Sequence, residues 1–186
     1  YKVISSRRFL QMQGLGNEVP FFICPFPPQD AVIMEQMAGQ LANRLVTDGV
    51  HVLVINLYDL CIELLQARGL WEQLLEAEPS VSKAELMELL QGVLDPEEHL
   101  APAIAAKMDA HPFDVMFLTG VGEVFPYIRS HNVLNNLQST AKLRPTVLFF
   151  PGQYTQSLET GASLDLFGVL HDDKYYRAFN ILHVQV

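Results

Sequence analysis

Apolar residues in this chain gather into two patterns. Unbroken runs at Phe21-Phe22-Ile23-Cys24, His51 to Leu57, Phe113 to Thr119, Thr146 to Phe150 and Ala178 to Val184 lack the alternation of a half-solvated strand. They predict five strands covered on both faces. The second run, nearly continuous and rich in β-branched residues, predicts an interior strand. Pro25, Pro27 and Pro28 predict that the first strand stops at Cys24, and Pro151-Gly152 predicts the same for the fourth. Between strands one and two, Met34, Met37, Leu41 and Leu45 recur at helical spacing, and Asp48-Gly49 closes the stripe. A further helix is predicted from about Pro126 through Gln138. Such alternation of strands and helices argues for an α/β domain, because parallel strands require crossover connections. The expected architecture is a single domain over 1–186, with a mostly parallel five-stranded sheet flanked by helices.

The middle of the chain differs. From Trp71 to Glu98 there are eight acidic residues and one base, Lys83, so seven of the nine net negative charges sit in this stretch. Ser82 with Glu85 has the spacing of a capping box, and Asp95-Pro96 with Glu98 supplies a cap, a first-turn proline and an acid. Pro79, Gly69 and Gly92 divide the segment into short helices. The reading is an acidic helical insertion over about 70–108, its charge either a solvated face or a docking surface for a basic partner.

Composition narrows the function. The 186 residues are 49% hydrophobic and 18% charged, with a mean hydropathy of +0.17, too rich in core material for a disordered chain. A formal charge of −9 repels phosphate backbones and anionic lipid surfaces, so direct nucleic-acid and membrane binding are not expected. No run reaches the roughly 18 apolar residues of a membrane span. Cys24 and Cys61 have neither zinc-knuckle spacing nor a disulfide framework, which fits a reducing cytoplasm.

Sites in open parallel sheets form beyond the carboxyl ends of the strands. Three segments are expected there: Pro25 to Asp30, Gly120 to Arg129, and Pro151 to Tyr154. The first is where a nucleotide-binding protein carries its phosphate loop. Here it reads Cys24-Pro25-Phe26-Pro27-Pro28, with prolines for amide donors and no lysine, which excludes Walker-type binding. Gly14-Leu15-Gly16 and Gly120-Val121-Gly122 begin like dinucleotide fingerprints, but Val19 and Phe125 occupy the third glycine position, so both pairs read as tight turns. Glu123, Arg129, Ser130 and His131 form the most suggestive polar group, able either to do acid-base work or to cap a helix and tie loops. His171-Asp172-Asp173 reads as a polar turn. Tyr175-Tyr176-Arg177 has the composition of a protein interface, with core packing as the alternative. No metal or cofactor is expected.

Several segments, taken in order, resemble one family. They are Gly14 to Phe22, Leu118 to Pro126, Ile128-Arg129-Ser130-His131 with Leu134-Asn135-Asn136-Leu137, Phe149-Phe150-Pro151-Gly152, and Tyr175-Tyr176-Arg177-Ala178-Phe179. Together they are similar to the BrxB domain family, a small component of BREX systems that protect bacteria and archaea from bacteriophage. The resemblance implies a role in that defence without a recognised catalytic motif. It also implies association with a neighbouring component, the alkaline-phosphatase-like protein PglZ foremost. One departure is Cys24-Pro25-Phe26, where an acidic-aromatic pair is expected. The expected function is a non-enzymatic adaptor, shaped like a P-loop NTPase-like core without its phosphate loop. Its expected partner surface comprises Glu123, Phe125, Arg129, His131, Tyr175, Tyr176 and Arg177. The rival expectation is a nucleotide-sensing or hydrolytic enzyme using Glu123, Arg129 and His131.

Overall fold

The computed structural model describes residues 1–14, 19–157, 161–174 and 177–185. Five strands form a parallel sheet in the order β2-β3-β4-β1-β7: β1 (Phe21–Phe26), β2 (Val52–Asn56), β3 (Val115–Thr119), β4 (Thr146–Ser157) and β7 (Ala178–Asn180). The unbroken apolar runs have a simple cause. Successive side chains point to opposite faces, and both faces are covered. Phe21 and Ile23, Met116 and Leu118, and Leu148 and Phe150 enter one apolar cluster. Phe22, Val115 and Phe117, and Val147 and Phe149 enter the other.

Helix α2 (Ala31–Thr47) covers the second cluster through Ala38, Ala42 and Leu45, together with Ile4 and with Phe9 of the short helix α1 (Arg7–Leu10). The stripe predicted for α2 is therefore rotated. Met37 is exposed, and two alanines let the helix lie close to the sheet. The first cluster is covered by α3 (Leu57–Ala67), by α6 (Ala101–Ala110) through Ile104, and by α7 (Ser130–Leu137) through Val133, Leu134 and Leu137. Between α3 and α6 stand α4 (Trp71–Ala77), α5 (Lys83–Val93) and a turn of π-helix at Pro96–Leu100. Both expected caps are present. Ser82 and Glu85 close a capping box, and Asp95 Oδ1 accepts from the amides of Glu97 and Glu98 at 2.9 Å each. Among the described residues, no helix is long and apolar enough to cross a membrane.

Several expectations need correction. β1 does not stop at Cys24 but runs through Pro25 to Phe26. β7 ends opposite Ile23, so Pro25 lies where β1 has become an edge on that side, a place that tolerates proline. β2 is an edge strand rather than an interior one, pairing among the described residues with β3 alone and leaving Val54 46% exposed. The helix expected from Pro126 starts at Ser130, because 121–129 is a series of turns that sends Val121, Val124 and Ile128 into the core. The last strand is only Ala178–Asn180, and a turn of 3₁₀-helix at Ile181–His183 follows.

The largest departure concerns β4. It continues past Pro151-Gly152 and leaves the parallel sheet to pair antiparallel with β5 (Gly161–Leu166), which in turn pairs with β6 (Leu170–Lys174). The strand changes partners at this dipeptide, with Pro151 beside Phe26 and Gly152 opposite Leu166. A Cβ on Gly152 would stand 2.1 Å from the Asp165 carbonyl oxygen, so only glycine permits the close approach. The backbone of His171, Asp172 and Asp173 belongs to β6, not to a turn. Tyr154 Oη donates to the Ala178 carbonyl at 2.8 Å and ties this flap back to β7.

Candidate functional site at the carboxyl ends of the strands

β1 and β3 end at, and β4 passes beside, one cavity of about 260 Å³. Its walls are apolar, formed by Phe26 of β1, Met34 of α2, Phe149 and Pro151 of β4, and Phe167 from the β5–β6 turn. Two carboxylates, Glu35 of α2 and Glu123, share the cavity, and no Lys, Arg or His among the described residues lines it. Glu123 reaches outward and is exposed, yet its carboxyl holds its proton above the ordinary range. Partial desolvation is the larger cause, and the negative charges of Glu35 and Asp59 add to it.

Local geometry explains why Asp59 acts on Glu123. Gly120 leaves β3 with φ +75°, and a Cβ there would fall 2.4 Å from Asn56 Oδ1 and 3.2 Å from the Leu57 amide nitrogen. Asn56 is the N-cap of α3, accepting from the Tyr58 amide at 2.8 Å and the Asp59 amide at 3.3 Å. A glycine in the left-handed region thus lets the loop lie against the start of α3, bringing the two acidic segments together. Gly14 also has positive φ, as its turn requires, whereas Gly122 does not, and Gly16 lies outside the described residues.

The expected site residues take different places where they are described. Glu123 lines the cavity. Phe125 is half-buried and meets Phe167 edge-on with ring centroids 6.1 Å apart, so it supports a cavity wall. Arg129, exposed and extended, precedes α7, and half-buried His131 lies in that helix's first turn with Nδ1 shielded from solvent. Neither lines the cavity. Arg177 precedes β7 at the opposite, amino end of the sheet, where Nη1 donates to Gln138 Oε1 at 2.8 Å. Tyr175 and Tyr176 lie outside the described residues.

Burial pushes the Cys24 thiol up to about 11 and the Cys61 thiol up to about 12, which leaves both protonated and weakly nucleophilic at neutral pH. Sequence reasoning missed Glu35, Met34 and Phe167. Glu35 carried a usable signal, since it follows the first strand in the first turns of its helix, where sheet-end sites form. Phe167 carried none, because its place depends on a hairpin hidden behind Pro151-Gly152.

No solved structure matches the chain. It is 33% identical over 181 residues to a BREX protein BrxB of Bacillus cereus (strain H3081.97), covering 96% of this chain and 92% of that protein. It is 31% identical over 179 residues to a BREX protein BrxB of Escherichia coli O9:H4 (strain HS), covering 96% of this chain and 86% of the relative. The profile of the family described as BREX protein BrxB matches residues 53–181, from β2 through the start of the last 3₁₀ turn. With the same family signature running through the sheet, the acidic helices and the antiparallel flap, this chain belongs to the BrxB family of BREX system proteins.

Proposed function

We propose that this protein is a non-enzymatic adaptor of a BREX anti-phage defence complex, acting in the cytoplasm and binding the PglZ-type phosphatase-like protein. The observation that carries this reading is the lining of the carboxyl-end cavity. A phosphate-binding protein places amide donors and a cation there. In this chain the same position holds Phe26, Pro28 and Pro151 with Glu35 and Glu123, a lining that repels a polyphosphate and suits a protein side chain. That Glu123 lines the cavity while Arg129 and His131 do not favours the adaptor over the enzyme.

Co-expression of both full-length proteins followed by size-exclusion chromatography tests the proposal. The two are expected to elute together, and the Glu35→Lys, Glu123→Lys double variant is expected to weaken the complex. Clean failure of the wild-type pair to associate overturns the adaptor. Calorimetric titration with nucleotides, with and without magnesium, is expected to give no binding heat. Heat that disappears in Arg129→Ala would favour the enzymatic rival.

A further inference from the structure

The first half of the acidic segment is built differently from the rest of the domain. Helix α4 buries none of its seven residues, and α5 buries only Leu90. Trp71 and Leu74 are half-covered, and Leu75 is 44% exposed. A seven-residue helix does not hold itself together in water, so this apolar seam is what keeps α4 in place. The seam does not close. Between α3, α4 and α5 it leaves a groove of about 220 Å³, lined by Ile62, Trp71, Leu74, Leu75 and Leu86, with Glu78 at its margin. That volume suits one or two aliphatic side chains and is too small for a nucleotide.

The surroundings of the groove state the sign of what fits it. Glu78 lines the groove, and Glu72 and Glu76 stand on the short helix α4; all three are exposed, and among the described residues none of them joins an ion pair. Lys83 is the lone base between Trp71 and Glu98. Its walls are mainly helix flanks whose amides are spent within the helices, with Val124 and Tyr127 of the turns after β3 beside them, so an extended strand would find few backbone partners there. Ridges of side chains offer a helix its grooves.

We propose that the groove between α3, α4 and α5 receives a basic amphipathic helix of a partner protein, with aliphatic anchors seated against Trp71 and lysines or arginines facing the acidic margin. The inference rests on the adaptor reading and gives that adaptor a second contact surface, distinct from the carboxyl-end cavity.

Trp71 is the only tryptophan in the chain, so its emission reports on the groove directly. The full chain is titrated with a helical peptide of about 18 residues, leucines on one face and lysines on the other, spanning roughly 27 Å. The expected result is a saturable blue shift that weakens about tenfold when salt is raised from low to high ionic strength. Leu75→Glu is expected to lower the affinity at least about tenfold, and because Leu75 is so exposed this variant keeps its fold. A scrambled peptide of the same composition, its leucines spread around the helix, is expected not to shift the emission. An unchanged spectrum at about 1 mM peptide, equal binding of the scrambled peptide, or undiminished binding to Leu75→Glu each overturns the inference. Because the probe is a peptide, a null result here leaves the adaptor itself to be judged by co-elution with the PglZ-type protein.

Discussion

Strand β3 and helix α4 use large apolar residues in opposite ways. All five residues of β3 are buried, and Phe117 packs edge-on against Phe149 with centroids 5.2 Å apart. In α4 no residue is buried, although Trp71 is the largest side chain in the protein. Burial on both sides of a sheet gives β3 a stabilising role that no partner needs to complete. The open seam of α4 contributes little to the fold by itself and keeps apolar area and acidic charge available for another molecule.

The comparison breaks most directly at Phe117. Phe117→Ala removes a fully buried ring between two strands and is expected to cost about 3–5 kcal/mol of global stability. Chemical denaturation checks this, and a loss near that of an ordinary surface change would mean that the sheet core is not the main source of stability. Trp71→Ala is expected to cost roughly 1–2 kcal/mol, since its side chain is only half-covered. The loss is expected to appear as faster amide exchange confined to α4 and α5, so exchange that also accelerates in β3 would join the two regions into one cooperative unit. Ser82→Ala opens the capping box of α5 and is expected to cost about 1 kcal/mol, read as a lowered melting temperature.

Smaller effects follow from charge. The proton on Glu123 is held more tightly in the folded state than in the unfolded chain, so its ionisation opposes folding. The contribution is present below the ordinary carboxyl range and is lost as pH rises through the raised folded value. Glu123→Gln should therefore melt slightly higher than wild type at neutral pH, with the gap closing on acidification. A gap that widens in acid would contradict the assigned cause. The least change is expected at the thiols. With Cys24 raised to about 11 and Cys61 to about 12, alkylation at neutral pH should be far slower than for free cysteine until denaturant is added. Labelling of Cys24 at the free rate would show that its burial is incomplete.

Local patterns carried much of the architecture and less of the site. Five unbroken apolar runs were legible as five parallel strands because double-faced burial removes the need for alternation. The caps at Ser82 and Asp95 were legible because capping depends on residues two or three positions apart. Glu123 was legible as a sheet-end acid. Glu35 was legible in the same way, but that it and Asp59 act on Glu123 was not, because they reach it from α2 and α3, far away in sequence.

What the amino-acid order determined without help was the alternation of strands and helices, the caps at Ser82 and Asp95, the concentration of negative charge in one segment and the prolines that follow the first strand. Each depends on residues within a turn or two of one another. Tertiary structure alone decided that β2 lies at an edge, that β4 passes through Pro151-Gly152 into a second set of pairings, and that Phe167 returns to wall the carboxyl-end cavity. Those outcomes depend on which surfaces meet, and a strand-breaking signal such as proline or glycine yields when its neighbours leave no amide partner unmet and no room for a Cβ.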